Sequence, residues 1–293
     1  MEIGINFPML VPGVDRRTIL EWAARAEAGP FCALGGGERV TYPSVEVMVT
    51  LSAAASITQR LRLLFSVIVL PMHSTVLMAK QVATLDVLSG GRVDLGLGVG
   101  ARDEDYRAVG ATFDRKRLRR MEEQIAIMRR VWAGENVVGE GVPPVDPRPV
   151  QPGGPPLLAG AMTPFAIERA ARWADGLCGF NFGPSADEVA ATYDLARRAW
   201  REAGRDKPPR LIMGFWYALG ERAREQMDTY VGRYFRIYGE PMVEMAKQMV
   251  KVTSPSALRD AVRMLADLGS DQAQLVPTTA DPDDVNRVAD ILG

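Results

Sequence analysis

Histidine and cysteine are scarce in this chain of 293 residues: His73 stands alone, and the only cysteines are Cys32 and Cys178. The two cysteines lie in separate apolar segments without metal-ligand spacing, so they read as small buried hydrophobes, and neither a disulfide nor a metal site is expected. Charge of one sign is also lacking. The 35 Lys and Arg nearly balance the 36 Asp and Glu, which removes the electrostatic case for nucleic acid or an anionic membrane as partner. No run is long and apolar enough to cross a bilayer. The opening EIGINFPMLVPGV lacks the basic-then-apolar layout of a secretory signal, and a cytoplasmic location is the expectation. The dinucleotide fingerprint is missing too. The first strand runs into Phe7-Pro8-Met9 where that motif needs glycines, and Gly96-x-Gly98-x-Gly100 has the wrong spacing and is followed by Asp103-Glu104-Asp105.

What is present is a regular alternation of strand and helix, clearest from Leu61 to Gly100. Leu61 to Leu70 is a continuous apolar, β-branched run, the mark of a strand covered on both faces. Pro71 stops it, Ser74 is placed to cap a helix, and Gly90-Gly91 ends that helix. In the next strand Val93, Leu95, Leu97 and Val99 alternate with Asp94, Gly96, Gly98 and Gly100. One face is therefore nearly bare, which leaves room for a flat ligand or for bulky neighbours. The other strands are expected at 2–7, 31–34, 156–159, 176–180, 211–219 and 272–276, with Gly35 to Arg39 as a loop. A basic helix starts near Arg115. Residues 134–156 and 221–255 read as excursions; the glutamates among the arginines of the basic helix make it a solvated face. Eight strands, each followed by a helix, without the fingerprint, predict an α/β fold of the (β/α)8 TIM-barrel type across residues 1–293.

Two motifs, ATLDxLSGGRxxLGxGxG ending at Gly100 and PPLLxGxxxxxxxRAARxADG ending at Gly176, occur in that order, with GSDQAQLVPTTADPDDVNRVADIL near the end. In these the chain resembles the bacterial luciferase-like superfamily of flavin- and deazaflavin-dependent oxidoreductases, essentially along its whole length. The resemblance implies a barrel whose open mouth holds FMN or coenzyme F-420. It implies a bulge in the third strand with a non-proline cis peptide at Ser66–Val67 behind the ring, and cofactor contacts from Phe7, Ser66, Val67 and Gly100. It places the cofactor phosphate at Gly160, Ala161, Met162 and Thr163, where free N–H groups at a strand-to-helix turn suit an anion or a simple helix cap. Arg117 or Arg119 matches arginines that some relatives aim at the phosphate. A homodimer, a small-molecule substrate and a separate flavin or deazaflavin reductase are family expectations.

The chain also departs from the family. Where many relatives end the second strand in a pair containing histidine, this sequence has Gly37-Glu38. Glu38 is a candidate acid–base group, or a loop salt bridge with Arg39. His73 follows the third strand, a structural residue or a second catalytic candidate. Trp216 and Tyr217 are candidate pocket walls or core. With FMN the chemistry implied is oxygenation of an organic substrate; with the deazaflavin it is hydride transfer. The missing histidine also admits a carrier or partner subunit without turnover. A phosphosugar enzyme on the same barrel would want a Lys or Glu at strand ends, and there is no lysine there.

Overall fold

The computed structural model describes residues 1–293. Eight parallel strands pair in sequence order and the last pairs back to the first, so the sheet closes. They are β1 (Glu2–Asn6), β2 (Ala33–Gly36), β3 (Arg62–Val69), β4 (Val93–Gly98), β5 (Leu157–Ala159), β6 (Gly176–Phe180), β7 (Arg210–Tyr217) and β8 (Gln272–Pro277). Helices follow each in turn: α1 (Arg16–Ala28), α2 (Val47–Ile57), α3 (Thr75–Ser89), α4 (Asp103–Ala108) and α5 (Arg117–Trp132) after β4, α6 (Pro164–Ala170) and α7 (Ala186–Glu202). Three helices, α8 (Ala223–Phe235), α9 (Glu240–Met249) and α10 (Pro255–Asp267), separate β7 from β8, and α11 (Asp283–Leu292) closes the chain. This is the (β/α)8 barrel that the alternation predicted.

Local chemistry accounts for the element ends. The Asp15 carboxylate accepts from Thr18 N–H at the start of α1, and Glu46 accepts from Met48 and Val49 N–H at the start of α2. Gly90 ends α3 at φ 66, a left-handed value that glycine adopts without steric penalty. Ser74, by contrast, makes no side-chain cap bond. Gly35 and Gly36 are not loop but the last residues of β2. A Cβ on Gly35 would stand 2.3 Å from Asn6 Oδ1, so the strand needs glycine there to admit a polar side chain inside the barrel. The acidic stretch after Gly100 forms the short helix α4, ahead of the basic helix α5. Residues 134–156 form turns without a strand.

The SGGR segment is a clamp at the N-terminal end of the barrel. Arg92 donates to the carbonyls of Ala55, Thr58, Leu61 and Ser89, and buried Asp86 accepts from Val150 N–H, Gln151 N–H and Gln151 Nε2. Asp94, fully buried inside the barrel, pairs with Arg62 at 2.5 Å and Arg210 at 2.9 Å.

On the outer side of β7 the Tyr217 hydroxyl donates to Asp284 Oδ2 at 2.8 Å. Tyr217 is therefore core and not a pocket wall. Burial is the chief reason that the Asp284 carboxyl is raised to about 6, against opposing help from Tyr217 and Arg287. A raised carboxyl keeps its proton in the folded chain at a pH where the unfolded chain has released it, so this group lowers stability as pH rises from about 4 to about 6. Asp284→Asn is expected to remove that slope. In chemical unfolding from pH 4 to 7, the variant should gain on the order of 2 kcal/mol relative to the unsubstituted chain; a constant difference would mean that Asp284 titrates normally.

Candidate active site

A cavity of about 720 Å³ opens at the C-terminal mouth of the barrel, a size usual for a small-molecule or cofactor site. Phe7, Glu38, Ser66, Val67, Gly100, Arg117, Gly160, Ala161, Met162 and Thr163 all lie on its lining. His73 does not. At the floor, the pairing of β3 with β4 shifts register between Phe65 and Ile68, and the Ser66–Val67 peptide is cis. The glycines of β4 do not simply leave a slot for a ligand. A Cβ on Gly98 would stand 2.9 Å from Val67 Cγ2, and one on Gly160 2.8 Å from Val67 Cγ1. The bare face of β4 thus seats Val67, which the bulge turns toward it. Gly100 lies past the strand end at φ 59, against Val69.

Glu38 is not bridged to Arg39. Its Oε1 lies 2.7 Å from His73 Nε2, and its Oε2 accepts from Val69 N–H at 2.7 Å. The Glu38 side chain is 5% exposed and His73 26%, so the two catalytic candidates form one pair reaching from the cavity lining toward solvent. Gln124 fixes the backbone behind it, donating to the His73 carbonyl at 3.0 Å. Arg39 turns instead to Asp105. Asp105 accepts from Arg39 Nε at 2.6 Å, Thr41 N–H at 2.7 Å and Thr41 Oγ1 at 2.6 Å. Burial alone would raise this carboxyl, but these donors outweigh it and hold it below the usual carboxylate value. The loop carrying Glu38 is thereby tied to α4.

Gly160 N–H is taken by Leu97 O, whereas the next three amides, of Ala161, Met162 and Thr163, have no partner within the chain. Thr163 Oγ1 caps α6 by accepting from Ala166 N–H at 3.3 Å. Because α6 is only seven residues long, the free amides matter here more than a helix dipole. Of the two arginines, Arg117 faces the cavity and Arg119 faces solvent, paired with Glu123 at 2.8 Å. Arg117 stacks 4.3 Å from the Phe113 ring and donates to Asp114 O, and its buried Nε has no partner.

The other wall is aromatic. Phe180 and Phe182 stand 5.0 and 5.3 Å from the Trp216 ring, and Tyr230 and Tyr234 pack on the same indole at 5.3 and 5.0 Å. Arg102 lies against the Tyr234 and Tyr238 rings and donates to Tyr234 O at 2.7 Å, joining the loop after β4 to α8. Trp216 was legible as a wall. Phe180, Phe182 and Tyr234 carried no motif, and neither did Asn6 and Gln274 on the cavity floor. The only trace of the latter was two glutamines at alternate positions of β8.

The sequence profile of the luciferase-like monooxygenase family matches residues 1–284. The chain belongs to that family. Among curated relatives, an uncharacterized protein of Mycobacterium tuberculosis, Rv0940c, is 36% identical over 172 residues, 57% of this chain and 58% of that one. The match thus spans little more than half the length of such relatives. The 4-hydroxyprotoasukamycin monooxygenase of Streptomyces nodosus is 29% identical over 177 residues, 56% of this chain and 47% of that one. Among solved structures, monooxygenase RslO1 from Streptomyces bottropensis superposes with a TM-score of 0.77 and 25% identity, over 99% of this chain and 97% of that one. The coenzyme F420 dependent tetrahydromethanopterin reductase from Methanopyrus kandleri has the same fold, with a TM-score of 0.77 at 18% identity over 100% and 99% of the two chains. So has the FMN complex of the oxygenating constituent of 3,6-diketocamphane monooxygenase from Pseudomonas putida, with a TM-score of 0.74 at 16% identity over 99% and 96%.

In this luciferase-like chain the Arg39–Asp105 pair is the tie most easily tested. Asp105→Ala leaves the buried Arg39 guanidinium with only the looser Glu104 carboxylate at 3.6 Å, and urea unfolding should record a loss of about 3 kcal/mol. Asp105→Asn should lose less, since its oxygen still accepts from Thr41. An alanine variant of undiminished stability would show that the pair holds nothing.

Proposed function

We propose that the chain is an oxidoreductase that holds FMN or coenzyme F-420 at the barrel mouth and acts on a small, largely apolar organic substrate. The observation that carries this reading is the unlike lining of one cavity. Around β5 it offers three unpartnered amides, Arg115 and Arg117; around β6 to β8 it offers Phe180, Phe182, Trp216, Val276 and Pro277. Free amides beside a guanidinium with an unpaired N–H suit a phosphate, and the apolar side suits a flat ring and an uncharged substrate. The similar solved structures include one named for coenzyme F420 and one in complex with FMN, which supports a ring of this type without choosing between them.

Bound in this cavity, the cofactor would supply the redox chemistry, oxygenation with FMN or hydride transfer with the deazaflavin. The protein's own part is to orient, to exclude water and to handle a proton. Ala161, Met162, Thr163 and Arg117 would anchor the tail, and Phe7, Ser66, Val67 and Gly100 would support the ring. Glu38 is the group placed to give or take a proton inside the cavity. Its bond to His73 Nε2 lets that proton exchange with solvent without opening the cavity. A buried carboxyl paired with a partly exposed imidazole favours turnover over a carrier role. A separate reductase delivering the reduced cofactor, and a homodimer, complete the proposal.

Trp173 and Trp216 line the cavity, so titration with FMN and with coenzyme F-420 should each be read from tryptophan quenching. One of them is expected to bind. With that cofactor loaded, Glu38→Gln should cut turnover by about 100-fold or more, in the range for a lost general acid–base group, while its Kd changes less than about threefold. Failure of both cofactors to bind, oxidised and reduced, would refute the oxidoreductase reading.

A further inference from the structure

Below the cavity the barrel interior holds an unbroken column of buried side-chain hydrogen bonds. Arg210 Nη2 donates to Gln272 Oε1 at 2.7 Å, Gln272 Nε2 to Gln274 Oε1 at 2.7 Å, Gln274 Nε2 to Asn6 Oδ1 at 2.7 Å, and Asn6 Nδ2 to Ser66 Oγ at 3.1 Å. Gln272, Gln274 and Asn6 are all buried. Glycines make the room: a Cβ on Gly4 would stand 2.0 Å from Gln274 Oε1, as one on Gly35 would collide with Asn6.

The direction of the column follows from its lower end. A guanidinium only donates, so Gln272 must turn its oxygen to Arg210 and its amide N–H₂ upward. Gln274 and then Asn6 must follow in the same sense, since any reversed amide would set oxygen against oxygen or N–H against N–H. At the top, Ser66 Oγ receives an N–H. The one acceptor near its own proton is Asn6 Oδ1, which already takes Gln274 and lies 3.4 Å away, long for O–H···O. Ser66 lines the cavity, and its proton is left for whatever binds there. Three amide dipoles in line, with a cation behind them, polarise that hydroxyl as a donor.

We propose that this column sets Ser66 as a hydrogen-bond donor to an acceptor atom of the bound ring, a carbonyl oxygen or ring nitrogen, with Gln272, Gln274 and Asn6 as positioning residues. The inference rests on the oxidoreductase reading of the same cavity. Gln272 does not touch the cavity, so its effect can reach the ligand only through the column.

The test compares Ser66→Ala, Gln272→Met and the double variant, each by cofactor Kd, by the visible absorption maximum of the bound ring and by melting temperature. Ser66→Ala should weaken binding by about tenfold, the range of one hydrogen bond. Gln272→Met should weaken it by about threefold or more and shift the absorption maximum toward that of the Ser66→Ala complex. The double variant should bind no worse than Ser66→Ala alone. Should Gln272→Met not fold, Gln272→Leu, which also removes the amide at a position off the cavity, takes its place in the same measurements. Binding and spectrum indifferent to Gln272, or losses that multiply in the double variant, would overturn the inference while leaving the oxidoreductase reading in place. If neither cofactor binds the unsubstituted chain, that reading falls and the donor role of Ser66 falls with it.

Discussion

Closing eight strands into a ring creates an interior that must be filled, and here much of it is filled with polar groups that have no water to turn to. Asp94 meets Arg62 and Arg210 at one end; amides continue to Ser66 at the other. Removing any one partner would leave another buried and unsatisfied, at a cost of about 1–3 kcal/mol for a neutral group and more for a charge. Gly4 of β1 and Gly35 of β2 follow from this filling, because a side chain at either would occupy the space of Gln274 or Asn6. The cavity floor is accordingly a rigid polar surface.

The two ends of the barrel divide the labour. At the N-terminal end Arg92 and Asp86 bind loops to strands through backbone carbonyls and amides, which is structural work. At the C-terminal end the segments that follow seven of the strands, β1 to β7, converge on one cavity. Asp105 ties the loop after β2 to α4, and Arg102 ties the loop after β4 to α8. The site's precision therefore depends on loop-to-loop contacts between residues far apart in sequence.

That division explains what could be read beforehand. Strand and helix order was legible because apolar period and glycine stops are local signals, and the absence of a dinucleotide fingerprint pointed to closure of the sheet. The errors were also local. Gly35-Gly36 looked like a loop because glycine is a poor strand former, and the reason for its presence lay 2.3 Å away on Asn6, distant in sequence. Glu38 was legible as a carboxylate out of place, with an acid–base role and a salt bridge to Arg39 both open, but its partner His73 was not, since the 34 residues between them are spanned only by the β2–β3 crossover. The bare face of β4 left a flat ligand and bulky neighbours both open, and the sequence did not show that a bulge on the neighbouring strand turns Val67 into it. The aromatic wall had no signal at all beyond Trp216, because its members come from β6, β7 and α8, and no spacing rule joins them.

Trp216, Tyr230, Phe235, Val243 and Val250 pack as a small apolar cluster apart from the main core. Only Trp216, of these, belongs to the barrel itself. The helices that press on the indole could be lengthened, shortened or exchanged without disturbing a single strand register, and the chamber would change its contour while the Glu38–His73 pair and the amide column stayed as they are. Such a scaffold can acquire new chemical tastes by remodelling one appendage.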